Sequence, residues 1–447
     1  MEILEKALKM LERHPLCDHC LGRQFALLGY KMDNKTRGHH TKILLAMEGH
    51  RLAASKDKRG VSILKTLVTN GSVDMAAELL KKLGRRARAR RKCFLCGGRF
   101  ESLPRLSATV VELLRDYDYE TFLVGVKLPL EVEEKEDEFK AAYSVEHSES
   151  MRNDFSRTTG KMIAETVGKD VDYMKPDIVV IVNPFTEQIE LQVNALFIRG
   201  RYRKLARGIP QSKWLCMKCR GEGCPKCDWT GRMYPESVEE LISSPIMEET
   251  AGEDVSFHAA GREDIDARML GRGRPFIIEV KRPKKRYVDL AKLEERVNRE
   301  AEGKVKVSNL RFVERKIVRK LKEMEGSEKL YRVKVEFDRE VSDKELENLE
   351  RTFKDIAIQQ QTPRRVLHRR ADLTREKYIY KTRIKRLAKN TAEMEIRCQG
   401  GLYIKELVTG DGGRTKPNIS EVTKTKTTPL ELDVLNVYTK NRRSIEK

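Results

Sequence analysis

Hydrophobic residues recur along this chain in two periods, and the change from one to the other marks out its elements. Leu4, Leu8 and Leu11 share one face of a helix that ends before Pro15. A second helix is predicted over Asp74 to Leu83, with Ser72 as its N-terminal cap and Gly84 beyond its end, and a third around Ser107 to Asp116. The next segments read as strands. Phe122 to Leu128 is the first, the unbroken apolar run Asp177 to Val182 suits a buried strand, and Ile189, Leu191, Val193, Ala195 and Phe197 alternate as a half-exposed strand does. The charged stretch Glu131 to Glu138 reads as a loop between them. Farther on, Phe276 to Val280 is an apolar strand, and alternation in Lys329 to Phe337 puts Tyr331 on the face of Val333, Val335 and Phe337. Ser342 with Glu345 forms a helix capping box.

A chain of 447 residues is too long for one ordinary domain and suits two or three, each burying its own core. The pattern divides it into a helical, cysteine-bearing part at 1–104, an α/β unit at 105–234 and an α+β part at 235–447. The acidic, polar segment 246–254 reads as an exposed connection.

Charge narrows the partners. Lys and Arg number 90 against 69 Asp and Glu, a net +21, which points to a polyanion. The sharpest basic run, Arg85 to Lys92, would suit a solvated face in an arbitrary protein, but here it abuts Cys93 in a chain of net +21 and reads as a phosphate-contacting surface. A second run, Arg199 to Gln211, is a basic loop with an aromatic inside it, and its Arg201 and Arg203 suit phosphates beside a stacked base. Arg364, Arg365, His368, Arg369 and Arg370 form a third, a strand or loop ahead of Tyr378 and Tyr380. With no apolar run long enough to span a bilayer, no lipidation signal and no apolar secretory core at the N-terminus, a cytoplasmic chain without membrane contact is expected.

In that compartment the nine cysteines stay reduced, and eight of them form four C-x-x-C pairs. Cys216, Cys219, Cys224 and Cys227 lie in one glycine-rich string, a spacing that closes a tetrahedral zinc site. Cys17 and Cys20 stand far from Cys93 and Cys96 in sequence, yet pairing them leaves no half-site over. One or two structural Zn²⁺ ions are therefore expected, since four thiolates leave no open position for water or substrate. His19 reads as a bystander and Cys398 as a core residue.

Candidate chemistry lies at 258–282. Gly261-Arg262-Glu263-Asp264-Ile265-Asp266 packs three carboxylates against an arginine, with turns allowed at Gly261, Gly271 and Gly273 and a strand directly after. A carboxylate on an open loop beside a rigid strand is well placed to react, although residue type alone favours a charged surface turn.

Gly261-Arg262-Glu263-Asp264 resembles the Gly-Arg-x-Asp element that carries the catalytic aspartate of pseudouridine synthases. The longer string GREDIDARMLGRGRPF resembles the archaeal and eukaryotic branch that modifies uridines 54 and 55 in the TΨC arm of tRNA. Further similarity runs through 16–26, 197–237, 328–337 and 398–416, so it covers nearly the whole chain. The family implies a zinc-bearing, THUMP-like N-terminal part and a catalytic domain on a mixed, largely antiparallel sheet with Asp264 in its central cleft. It implies tRNA as partner, no small-molecule cofactor for catalysis and a monomer.

It also assigns roles. Asp264 starts glycosidic cleavage, by attack on the nucleotide or by taking a ribose proton. Tyr331 stacks on the detached base, and Arg262 helps fill the space that the flipped nucleotide vacates. Gly400-Gly401-Leu402-Tyr403-Ile404-Lys405-Glu406-Leu407 resembles the element that supplies the aspartate's cation, which makes Lys405 the expected partner of Asp264. Tyr403, Arg201, Arg203, Arg365 and Arg369 are the expected substrate contacts. The rival reading is a non-catalytic, zinc-containing protein that binds or folds tRNA.

Overall fold

The first sheet is built from short apolar strands around a parallel pair. The computed structural model describes residues 3–438, apart from the side chains of Glu325 and Arg369. Among these, β1 (Thr121–Val126) lies between β2 (Asp170–Val171) and β3 (Ile178–Asn183), parallel to both, and β4 (Gln188–Val193) pairs antiparallel with β3. Phe122 and Val124 alternate inward with Ile178, Val180 and Val182, and helices Leu103–Leu114 and Met151–Val167 contribute to the same core. The segment expected as a charged loop is a helix, Leu130–Ala142; Glu131, Glu134 and Glu138 face water, while Phe139 turns in together with Glu136, which pairs with the buried Arg23.

The helical part preceding this sheet is dense. Helix Asn34–Ala54 crosses the Cys17–Cys20 turn so closely that a Cβ on Gly38 would stand 2.0 Å from the carbonyl oxygen of Asp18. Lys42, buried in that helix, donates to the carbonyls of Leu16 and Gly71 and to the carboxylate of Asp18. Helix Ile3–Arg13 ends before Pro15 as expected. The helix at Asp74–Lys82 is also found, but Val73 stands at its cap and Ser72 adopts φ 58, so the expected hydroxyl cap does not form.

Two compact units meet between Asn194 and Ala195, rather than near residues 104 and 234. The alternating run at 189–197 is two strands, broken at Asn194, whose side chain caps the carbonyl of Pro176. Its second piece, β5 (Leu196–Lys204), belongs to another sheet, so most of the expected basic loop is strand.

That sheet continues with β6 (Asp254–Ala259), β7 (Arg268–Lys281), β8 (Val305–Phe312), β9 (Lys329–Phe337), β10 (Ile356–Gln361), β11 (Thr374–Ala388), β12 (Thr391–Cys398), β13 (Thr415–Lys416) and β14 (Thr427–Val437). Its order is β13-β10-β11-β12-β9-β14-β7-β5-β8, with β6 on β7. Every pairing is antiparallel except β7 with β14, where Arg268 faces Asp433 and Met269 faces Val434. The expected mixed, largely antiparallel sheet is thus present. The segment taken for an exposed connection extends helix Val238–Thr250, with Ile246 and Thr250 buried.

The central strand changes neighbours along one edge. β5 follows β7 on one side from Met269 to Val280, while the other side pairs first with β14 and then, from Phe276, with β6. Gly271 and Gly273, at φ +56 and +73, make the change possible, and a Cβ on Gly271 would lie 1.9 Å from the carbonyl oxygen of Leu435. A cleft lies beside this change of neighbours, lined by Gly261 to Asp264 and Ala267 of the β6–β7 loop and by Leu432 and Val434 of β14.

Two buried charge clusters hold that arrangement. Asp433, 3% exposed, accepts from Arg268 at 2.9 Å through both oxygens, from Arg207 at 2.7 Å and from Arg332 at 2.9 Å. Burial works against its charge, but the three guanidinium groups hold its pKa below the usual carboxylate range. At the other end of the loop, Arg274 is fully buried; it donates to Glu263 at 2.9 Å and to the carbonyl of Ala260 at 2.7 Å. Tyr202 donates to the same carboxylate at 3.0 Å. Breaking a buried pair leaves a naked charge, at a cost of about 3–5 kcal/mol. Arg274→Met is expected to destabilise the chain by that order in urea denaturation, and Glu263→Gln in the same chain to recover part of it.

Candidate active site

Gly261-Arg262-Glu263-Asp264 lies on the loop between β6 and β7 and enters the cleft from one side. Tyr331 enters from β9, Leu432 and Val434 from β14, Arg365 from the short 3₁₀ helix Arg364–Arg369, and Tyr403 and Ile404 from the start of helix Ile404–Thr409. Tyr331 packs against two apolar clusters of this sheet, one on each side of the β7–β14 seam. Burial raises its phenol pKa, which keeps the ring neutral at ordinary pH.

The loop is fixed through its backbone. Lys204, fully buried on β5, donates to the carbonyls of Ile209 at 2.8 Å, Asp264 at 3.0 Å and Ile265 at 2.9 Å. An ammonium group has three protons, and all three are used. Gln211 adds a bond to the carbonyl of Gly261, and Arg207 one to that of Asp266.

Asp264, 29% exposed at the side chain, receives a two-pronged contact from Arg365, Nη1 to Oδ1 and Nη2 to Oδ2, each at 3.1 Å. The same guanidinium is held from behind by the buried Glu406, Nε to Oε1 at 2.6 Å. Burial lowers the pKa of Arg365, but Glu406 and Asp264 more than offset it and raise it overall. Lys405 stands 3.6 Å from Asp264 but makes its hydrogen bonds to Asp266, at 2.6 and 2.7 Å. Burial pushes the Asp266 carboxyl up, and Lys405 brings it below its ordinary value. The expected partnership is therefore shared: a lysine offers one compact charge, which settles on the more exposed Asp266, while the fork geometry that fits a carboxylate comes from Arg365.

Arg262 and Tyr403 line the cleft, and Arg365 lies 5.8 Å from the Tyr403 ring centre. Arg201 and Arg203 do not line it. They sit on β5, where Arg201 spends its donors on the carbonyls of Arg272 and Gly273, both at 2.7 Å, and so braces the turn in β7. Arg369 lies outside the described side chains; its neighbour Arg370 reaches the cleft. Glu406, Lys204 and Asp433 escaped the sequence reading. Only Glu406 carried a signal, as the residue beside Lys405 in a recognised string.

The eight paired cysteines form two groups of four, Cys17, Cys20, Cys93 and Cys96 in the first unit and Cys216, Cys219, Cys224 and Cys227 in the second. The donor sets fit a tetrahedral ion. A Zn–S length of about 2.3 Å gives a tetrahedron edge of about 3.8 Å, and Sγ separations are 3.6 Å for Cys17 with Cys96 and 3.7–3.9 Å in the second group. Backbone amides of Gly223, Cys224 and Gly231 point at sulfur from 3.2–3.3 Å, as they would at thiolates. His19 is no ligand: its ring stacks on Phe100 at 4.0 Å and its Nδ1 meets Asp154 at 3.3 Å. Cys398 is buried in the core. No described helix is long and apolar enough to cross a membrane.

Burial lowers the Lys204 pKa from 10.5 to about 8. A neutral amine cannot satisfy three carbonyls, so turnover is expected to decline with an alkaline limb near pH 8. The stability sign is opposite: the unfolded chain binds the extra proton between 8 and 10.5, so the cost of burying this charge shrinks as pH rises through that window. Lys204→Met should lower kcat well before it alters KM for RNA, and a pH profile of the variant should lack the limb.

Comparison with known proteins matches this arrangement over almost the full length. Residues 197–438 match the family model described as Pus10, C-terminal, and residues 106–183 the one described as Pus10 THUMP domain, archaeal. The tRNA pseudouridine synthase Pus10 of Methanocaldococcus jannaschii is 43% identical, covering 99% of this chain and 95% of its own. The protein of the same name from Methanothrix thermoacetophila is 40% identical over 98% of this chain and 94% of its own, and that of Thermofilum pendens 38% over 96% and 94%. With its catalytic-side model matched over more than half its length and relatives aligned nearly end to end, the chain belongs to the Pus10 family of tRNA pseudouridine synthases.

Proposed function

We propose that this chain isomerises uridines 54 and 55 in the TΨC arm of tRNA to pseudouridine, with Asp264 as the essential acid. One observation carries the reading: a single cleft places Asp264, held by Arg365 and Lys405, together with Tyr331 and Arg262. The target nucleotide leaves the RNA stack to reach that cleft, and Arg262 occupies part of the space it vacates. The uracil N1–C1′ bond breaks, the base turns in its plane against Tyr331, and C5 bonds to C1′. The C5 proton is given up and N1 gains one, so no atoms or electrons are lost and no cofactor is needed. Asp264 starts the first step, as nucleophile at the ribose or as base. Its two cations, Arg365 and Lys405, hold the carboxylate in position.

Tyr403, Arg365 and Arg369 contact the flipped nucleotide or its phosphates, and the exposed run Arg85 to Lys92 contributes sequence-independent attraction for RNA. Both Cys₄ groups hold structural Zn²⁺. The protein acts as a cytoplasmic monomer, recognising the shape of the tRNA elbow more than its sequence.

The test uses unmodified tRNA transcript without added cofactor. A pseudouridine-specific chemical probe read by primer extension should show stops at both positions with the parent and none with Asp264→Ala. tRNA binding by the parent without stops would favour a non-catalytic RNA-binding role. Metal analysis of the purified chain should find two zinc ions per chain, and loss of one after Cys216→Ser.

A further inference from the structure

The second cysteine group sits in a small substructure, residues 214–234, that exposes more than it needs to fold. It closes through the bridge between Leu215 and Arg232 and through amides directed at sulfur. Trp229 nevertheless stands 73% exposed and Met217 78%. Large aromatic side chains are usually well buried, so an open indole on a short loop calls for a reason.

The backbone sharpens the question. Asp228 and Trp229 are consecutive left-handed residues, at φ 49 and 61. The turn itself is needed, since the amide of Trp229 donates to Cys224 and that of Thr230 to Cys227. Glycine or asparagine would make it without strain, whereas a bulky side chain at positive φ is an outlier. The indole therefore does not serve the turn, and it buries too little surface to serve the core.

The substructure that carries it has exposed charge of both signs, with Lys218, Arg220 and Lys226 outnumbering Glu222 and Asp228. Lys218, Arg220 and Lys226 are exposed, and among the described residues none of the three has a carboxylate partner. The negative charge of the sulfur atoms is met from inside by the backbone amides, which leaves these side chains facing outward. An exposed aromatic on a short loop that also carries unpaired cations matches a nucleotide, with a flat face for the base and charge for its phosphates.

We infer that this Cys₄ substructure is an RNA-docking surface on which Trp229 stacks against an unpaired base of the substrate while Lys218, Arg220 and Lys226 meet its neighbouring phosphates. The choice of RNA rests on the function proposed above, while the surface itself rests on Trp229 and its cations. Docking here sets affinity and leaves the chemistry at Asp264 untouched.

The chain has only two tryptophans, which gives a direct reporter. Trp214 packs edge-on against Tyr234 at 5.8 Å, so Trp214→Phe leaves Trp229 as the sole tryptophan, read by excitation selective for indole. Adding unmodified tRNA transcript should quench that emission saturably, with the quench reversed by salt. In the otherwise native chain, Trp229→Asn should weaken tRNA binding about ten-fold by filter assay, as expected for loss of one stacked base, with Tm unchanged or raised. Trp229→Phe should stay within about two-fold of the parent, because a ring still stacks. Unquenched emission under saturating tRNA, or an unchanged Kd in Trp229→Asn, overturns the inference and points to a protein partner for this face. Pseudouridine formation measured on the same samples separates the two proposals: product without quenching sinks only the docking surface, whereas quenching without product sinks only the isomerase.

Discussion

The carboxylate of Asp433 is the constraint on which the catalytic sheet depends. Parallel pairing between β7 and β14 extends over two residue pairs, too little ladder to join two halves of a sheet by backbone bonds alone. Asp433 supplies the rest, gathering Arg268 from β7, Arg332 from β9 and Arg207 from the segment after β5. Such a cluster holds only as a set: in a nearly dry position each charge is tolerable because the others are present. Arg268 follows Asp264 by four residues, so the seam also fixes where the reactive loop ends. Arg274 and Glu263 fix where it begins, and Lys204 holds its middle from below.

Charge in the cleft is balanced by shape as much as by number. Asp264, Asp266 and Glu406 face Arg365 and Lys405, and the two cations divide the work by geometry. Arg365 is gripped by Glu406 before it reaches Asp264, so its fork is set in direction and loses little freedom in making the contact. Lys405, drawn to Asp266, remains close enough to add field at Asp264 without being committed to it.

What could be read in the sequence was whatever a local pattern encodes. The C-x-x-C pairs, the alternation around Tyr331, the capping box at Ser342 and the Gly-Arg-x-Asp string each declare themselves within about ten residues, and each stands where expected. The misreadings were places where tertiary context overrode the pattern. Residues 189–204 alternate almost without interruption, and only the side chain of Asn194, bonded to a carbonyl eighteen residues away, shows that the chain leaves one sheet for another there. Glu131 to Glu138 looked too charged for an element, yet a helix needs only one apolar face, and Phe139 provides its anchor. Lys204 and Asp433 were invisible for the opposite reason: a lysine in a basic run and an aspartate in a strand give no hint that they are buried.

The two sulfur clusters also differ in when they can exist. The second needs twelve consecutive residues and can close as soon as they leave the ribosome. The first joins Cys17 to Cys96, 79 residues apart. At roughly 5–20 residues per second of synthesis, Cys17 and Cys20 wait several seconds as free thiols. During that wait helix Asn34–Ala54, which lies against their turn, has to form before the four sulfur atoms can come together. The turn of Cys17 and Cys20 is thus packed against its helix before its sulfur partners have been made, whereas the second group is complete as soon as its own string is.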